Sequence, residues 1–232
     1  MTYPAPRALI FDWDNTLVDT WPVITACYNA TFTHFGMPLW DEAETRRRAH
    51  RSLRDIFPEL FGDCWQEART VFYRTFDAVH LQRLCPRDGA EAMLAALAAR
   101  GLYLAIVSNK TGSALRKEVA HLGWDRFFGR VVGATDAARD KPAGDPVAMA
   151  LAPAQLAAGA DVWFVGDTSV DLECAHNTGC LPVLMRDAAP EAHEFVTCPP
   201  RLHVRNCHAL PGLIWESTNL YDVAVRHGGA PL

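Results

Sequence analysis

Apolar and polar positions along this chain follow two different rhythms, and the change between them falls near residue 86. Before it, apart from a strand-like run at the start, apolar residues sit near helical spacing: Trp21, Val23, Ile24, Tyr28 and Phe32, then Phe57, Leu60, Phe61, Trp65, Val71, Phe72 and Phe76. No strand is predicted between Thr20 and Leu84. Pro58 and the Phe61-Gly62 step are expected to divide the helices, and Cys85-Pro86 to close the segment. Beyond residue 86, short apolar runs alternate with helix-like stretches. Asp88 is placed to cap a helix over Gly89 to Arg100 that stops at Gly101, and Leu102 to Val107 reads as a fully buried strand. A helix from about Ser113 to Leu122 ends at Gly123. Strands follow at 130–133, 162–165, 181–185 and 202–204, with helices at about 145–152 and 169–178. This alternation predicts an α/β fold, a parallel sheet with helices on both faces, interrupted by an α-helical insert. The tail ending His-Gly-Gly-Ala-Pro-Leu is expected to fray.

In such a sheet ligands bind beyond the carboxyl ends of the strands, and four strand ends here carry related polar groups. The run Ala8 to Phe11 leads into Asp12 and Asp14. A two-residue period puts both carboxylates on one side with Trp13 opposite, and two like charges that close call for a cation between them. An oxygen-only site favours a hard ion, Mg²⁺ above all. After Ala-Ile-Val come Ser108, Asn109 and Lys110, a hydroxyl, an amide and backbone N–H groups able to hold an anion. Asp140-Lys141-Pro142 brings Lys141 into a loop before a helix. The run Val162 to Val165 leads into Gly166-Asp167-Thr168-Ser169-Val170-Asp171, with two more carboxylates. Carboxylates, hydroxyl and lysine meeting at one sheet edge form a phosphoryl-transfer constellation.

Composition narrows the partners. Half of the 232 residues are hydrophobic, enough for a sizeable core, and the net charge of -5 offers no basic footprint for nucleic acid or a membrane surface. The first residues lack the form of a signal peptide, and no apolar run approaches the roughly 18 residues a bilayer requires, so a cytoplasmic protein is expected. Seven cysteines without a C-x-x-C pair argue against a disulfide framework or structural zinc. Nine histidines lack metal-ligand spacing; His176 is expected on a helix surface, and Cys174 and Cys180 in packing rather than redox chemistry.

The segments Asp-Trp-Asp-Asn-Thr-Leu-Val, Val-Ser-Asn-Lys, Lys-Pro and Gly-Asp-Thr-Ser-Val-Asp resemble, in order and spacing, the four motifs of the haloacid dehalogenase superfamily, and most closely its phosphoglycolate-phosphatase-like branch. The resemblance implies a Rossmann-like core over 1–19 and 86–232 and a helical cap over 20–85. It also implies a Mg²⁺-dependent phosphatase acting on a small phosphate ester through an aspartyl-phosphate. Asp12 is then the nucleophile and Asp14 the general acid and base. Mg²⁺ is held by the Asp12 carboxylate, the Asp14 main-chain carbonyl and Asp167, with Asp171 orienting from behind. Ser108 and the Asn109 backbone bind phosphoryl oxygens, Lys141 offsets charge, and Thr16 steadies Asp14. One departure is Asn15, where many relatives have Gly; Asn tolerates unusual backbone angles, so the turn is expected to survive.

Arg46, Arg47, Arg48, His50, Arg51 and Arg54 concentrate positive charge in the insert. They form either a solvated face paired with Asp41, Glu42 and Glu44, or a substrate contact through Arg51 to a second anionic group. Among other readings, a dehalogenase needs neither Asp14 as acid nor a pair of metal carboxylates. A phosphonate hydrolase needs a lysine in the cap, and residues 20–85 contain none. A sugar-phosphate mutase shares all four motifs. A receiver-type signalling module has no use for the insert, and a non-catalytic metabolite-binding or interaction protein would release no phosphate.

Overall fold

A computed structural model describes residues 3–49 and 53–216. The expected frayed tail and Arg51 lie outside the described residues. The chain divides into two compact units, one of Met1–Val18 with Pro86–Leu232 and one of Asp19–Cys85.

The first unit is built on a six-stranded sheet: β1 (Ala8–Phe11), β4 (Tyr103–Thr111), β5 (Arg130–Ala134), β6 (Val162–Gly166), β7 (Leu181–Met185) and β8 (Leu202–Val204), in the order β5-β4-β1-β6-β7-β8. Every pairing is parallel, with Phe11 level with Ile106 on one side and Val165 on the other. Four helices of this unit are α5 (Ala90–Ala99), α6 (Gly112–His121), α7 (Asp145–Leu151) and α8 (Ser169–Thr178). Alternate strand residues point to opposite faces. Ile10, Val107 and Phe164 pack with Val147, Ala150 and Leu151 of α7 and Cys174 and Ala175 of α8. Their strand neighbours Phe11, Ile106 and Trp163 face the other way and are also buried, so the strands are apolar on both sides, as a sheet covered by helices on both faces demands. Each fully buried large side chain contributes about 1.5–3 kcal/mol.

The second unit is helical: α1 (Trp21–His34), α2 (Glu42–Arg48), α3 (Leu53–Phe61) and α4 (Trp65–Val79). Its own core gathers Val23, Cys27, Tyr28, Phe32, Phe57, Ala68 and Phe72. Tyr28 meets Phe57 and Phe72 edge to face, with ring centroids 5.8 and 5.3 Å apart. Two-residue strands, β2 (Val18–Asp19) and β3 (Cys85–Pro86), pair where the chain passes between the units.

Three local expectations are corrected. Pro58 lies inside α3 and does not end it; the interruption falls at Gly62, whose φ of +53° opens a short 3₁₀ turn before α4. Asp88 does not cap α5. The cap is Gly89, at φ 76°, while the Asp88 carboxylate lies 3.1 Å from His208 Nε2. The strand expected to stop at Val107 continues to Thr111 through an irregularity in its pairing with β5, so Ser108, Asn109 and Lys110 belong to the strand itself. All seven cysteines are thiols, with Cys27, Cys174, Cys180 and Cys207 buried.

Candidate active site

Because β1 lies between β4 and β6, the chain leaves it in one direction and returns on the other side, and the crevice beyond its carboxyl end collects residues from adjacent strands. Asp12 follows β1 and keeps the sheet's register, its N–H donating to the Val165 carbonyl at 2.9 Å. Asp167 follows β6, and Asp171 sits in the first turn of α8. Oxygens of Asp12, Asp167 and Asp171 lie within 4.8 Å of one another.

Lys141 enters from the loop after β5. Its ammonium donates to Asp12 Oδ1 at 2.7 Å and to Asp171 Oδ1 at 2.6 Å, with only 3% of the side chain exposed. The other Asp171 oxygen, Oδ2, accepts from the Thr168 N–H at 3.0 Å and the Thr168 hydroxyl at 2.8 Å, so Asp171 is held on both sides. This approach requires Gly166: a Cβ there would lie 2.3 Å from Asp171 Cβ and Cγ. Asn109 ties Lys141 to β4, its side-chain amide donating to the Lys141 carbonyl and accepting from the Lys141 N–H, both at 3.1 Å.

Burial pushes the Asp12 carboxyl up to about 6; Lys141 opposes the shift, while Asp171 and Asp14 add to it. Burial, then Asp12 and Asp171, hold Asp167 well above the usual carboxylate range. Lys141 is held above the usual lysine range by Asp12 and Asp171, which outweigh its burial. Three crowded carboxylates facing one ammonium are a donor set with negative charge left over. That chemistry fits a hard divalent cation.

Asp14 goes elsewhere. β1 ends at Phe11, so the two-residue period does not carry through to Asp14. The chain turns at Asn15, φ 58°, and the Leu17 N–H donates to the Trp13 carbonyl at 3.0 Å. Asn15 thus takes the left-handed conformation that its residue type tolerates. The Asp14 side chain, about a third exposed, accepts from Lys110 Nζ at 2.7 Å and stands outside the carboxylate triad. Burial raises its carboxyl, with Lys110 opposing. Trp13 does point away into the core, fully buried.

Ser108, 4% exposed, lies within β4 where its pairing with β5 becomes irregular, and its Oγ accepts from the Lys110 N–H at 3.3 Å. Thr16 is reassigned. It is fully buried, and its hydroxyl donates to Asp167 Oδ1 at 3.2 Å, so it steadies Asp167 rather than Asp14.

In the helical unit, Arg46 pairs with Glu42 at 2.7 Å and with Asp19 at 3.2 Å; Arg47 pairs with Glu44 at 2.7 Å, and Arg48 also reaches Glu44. These three form the paired helical face that was one of the two expectations. A cavity of about 700 Å³ lined by Leu39, Trp40, Glu44, Arg47, Arg48 and Leu60 includes none of Asp12, Asp14, Asp167 and Asp171. His176 is exposed, its Nε2 2.9 Å from the Pro199 carbonyl.

Sequence reasoning missed Lys110 and Glu118. Lys110 was visible only as the residue after Ser-Asn. Glu118, on α6, looks like any helix carboxylate, yet it is 1% exposed and bonded to Lys110 Nζ and Trp13 Nε1, both at 2.6 Å.

Residues 9–184 match the model of the haloacid dehalogenase-like hydrolases. A phosphoglycolate phosphatase of Synechococcus elongatus is 31% identical over 203 residues, 84% of this chain and 90% of that protein. An N-acetylmuramic acid 6-phosphate phosphatase of Pseudomonas aeruginosa is 29% identical over 188 residues, 78% of this chain and 81% of its own length. Among solved structures, a haloacid dehalogenase superfamily hydrolase of Ehrlichia chaffeensis superimposes with a TM-score of 0.65 at 26% identity, covering 93% of this chain and 99% of that one. No described helix is long and apolar enough to cross a membrane. With three-quarters of its length matched and the motif residues gathered at one sheet edge, the chain belongs to the haloacid dehalogenase-like hydrolase family.

Proposed function

We propose that this protein is a Mg²⁺-dependent phosphomonoesterase that hydrolyses a small phosphorylated metabolite through an aspartyl-phosphate on Asp12, with phosphoglycolate the first compound to test. The observation that carries the reading is the meeting of Asp12, Asp167 and Asp171 within 4.8 Å, with Lys141 Nζ 2.7 Å from Asp12.

An Asp12 carboxylate oxygen attacks phosphorus as the bond to the leaving oxygen breaks, which divides one difficult hydrolysis into two displacements. Asp14 delivers its proton to the departing oxygen, then takes one from the water that attacks the phosphoryl-enzyme, so each half-reaction returns what the other used. The Ser108 hydroxyl and the Asn109 backbone N–H bind phosphoryl oxygens, and Lys141 balances charge beside the nucleophile. The Asp12 carboxylate, Asp167 and the Asp14 main-chain carbonyl would hold Mg²⁺, which when bound supplies positive charge against the phosphoryl oxygens. Asp171, with Oδ1 on Lys141 and Oδ2 on Thr168, orients its neighbours. The helical unit would act as a cap that selects the ester. Relatives of similar identity carry the names of phosphatases for different esters, which supports the phosphate as the shared recognition element.

The test is a screen of phosphoglycolate, sugar phosphates, nucleotides, pyridoxal phosphate and p-nitrophenyl phosphate with Mg²⁺ and with chelator, together with Asp12→Asn. Mg²⁺-dependent release of inorganic phosphate, abolished in Asp12→Asn, is expected. An isomerised sugar phosphate as product would make the protein a mutase, and full activity in folded Asp12→Asn would remove the nucleophile.

A further inference from the structure

Lys110 and Glu118 form a buried charged cluster for which the reaction as written has no use. Lys110 Nζ donates to Asp14 Oδ1 at 2.7 Å and to Glu118 Oε2 at 2.6 Å, and the same Glu118 oxygen accepts from Trp13 Nε1 at 2.6 Å. The Lys110 side chain is 8% exposed and that of Glu118 1%. Two consecutive residues of the first motif are therefore tied to one carboxylate, Trp13 directly and Asp14 through an ammonium. Trp13 is fixed further by an edge contact with Trp124, ring centroids 5.8 Å apart.

Stability alone does not account for such a cluster. Burying an ammonium and a carboxylate carries a desolvation penalty that their attraction only about repays, and apolar side chains of the same volume are often as stable or more so. What charged groups add is direction. A lysine anchored at Glu118 fixes where Asp14 Oδ1 can sit and leaves Oδ2 to carry the proton, in a reaction where displacement by roughly 1 Å can lower the rate about 100-fold.

We infer that Lys110 and Glu118 are positioning residues that hold the Asp14 carboxyl in its proton-delivering orientation, Glu118 acting through Lys110 and Trp13. The inference rests on the proposal that Asp14 is the general acid.

The experiment measures kcat/KM, which reports the steps up to departure of the leaving group, for two esters. One is p-nitrophenyl phosphate, whose leaving group departs without a proton; the other is the most rapidly hydrolysed alkyl monophosphate of the screen, whose alkoxide cannot. Lys110→Met should lower kcat/KM for the alkyl ester about 100-fold and for p-nitrophenyl phosphate less than about 10-fold. Glu118→Gln, which preserves volume, should show the same selectivity to a smaller degree. Asp14→Asn sets the reference for complete loss of the acid. Equal losses on both esters in Lys110→Met and Glu118→Gln, or wild-type values on both, would overturn the positioning role while leaving a selective Asp14→Asn intact. If Asp14→Asn shows no selectivity, the general-acid assignment falls and the inference with it.

Discussion

Asn109 and Lys141 are joined through a two-point clamp, the Asn109 amide donating to the Lys141 carbonyl and accepting from the Lys141 N–H at 3.1 Å each. The pairing fixes the backbone from which the lysine reaches Asp12. Asn109→Asp keeps the shape but sets a carboxylate oxygen against the Lys141 carbonyl, trading an attraction for a repulsion. Activity toward p-nitrophenyl phosphate should fall roughly 10- to 100-fold while the variant still folds. Steady-state kinetics beside a urea unfolding curve decide it; a folded variant with wild-type kcat would show that the clamp does not govern Lys141.

Gly166 and Asp171 make a similar steric prediction. A methyl at 166 would meet Asp171 at 2.3 Å, and Asp171 is pinned by Lys141 and Thr168, so something must move. Gly166→Ala should destabilise the fold by about 1–3 kcal/mol and depress activity. Gly212→Ala is the contrast: nothing lies within 4 Å of its added Cβ, and in a helical segment it should stabilise by about 0.5–1 kcal/mol. Urea midpoints that do not separate the two variants would refute the argument.

Metal binding has a readout independent of turnover. Wild-type protein should melt higher in Mg²⁺ than in chelator, gaining about 2.7 kcal/mol at 100 times Kd. Asp167→Asn removes one of three crowded carboxylates, whose repulsion and burial already lift the Asp167 carboxyl. In chelator it should therefore melt at or above wild type, and in Mg²⁺ below it. Thermal melts without this crossing of order would take Asp167 out of the metal site.

In the helical unit, the fully buried Tyr28 hydroxyl finds no hydrogen-bond partner among the described residues, and burial pushes it above the usual tyrosine range. A buried donor without an acceptor is unfavourable by about 1–3 kcal/mol. Tyr28→Phe keeps the ring contacts with Phe57 and Phe72 and discards the hydroxyl, so the variant should be at least as stable as wild type. A loss of more than about 1 kcal/mol by urea denaturation would mean the hydroxyl is bonded.

Much of this was legible in residue order because it depends on periods and punctuation. The runs at 162–165, 181–185 and 202–204 are apolar and short, and they lie where the strands lie. Asp12, Ser108 and Asp167 stood out because each follows such a run, and Lys141 because it enters a Pro- and Gly-containing loop just before a helix. The misses were three-dimensional. Asp88 has the right chemistry for a cap, but Gly89 takes the left-handed turn, and the carboxylate meets His208 at a distance of 120 residues in the chain. Thr16 is close to Asp14 in sequence, yet its hydroxyl reaches Asp167. Glu118 gave no signal, because its burial depends on Trp13, 105 residues away.

The strand order has one more consequence. β1, β4 and β6 each have hydrogen-bonded neighbours on both sides, and residues 19–85 occur as an excursion between two strands that pair directly. The ladder that carries Asp12, Ser108 and Asp167 is thus complete without help from the excursion. Segments of other length or shape could be exchanged at that junction while the strand pairing stays in register, so the excursion and the sheet are free to vary independently of each other.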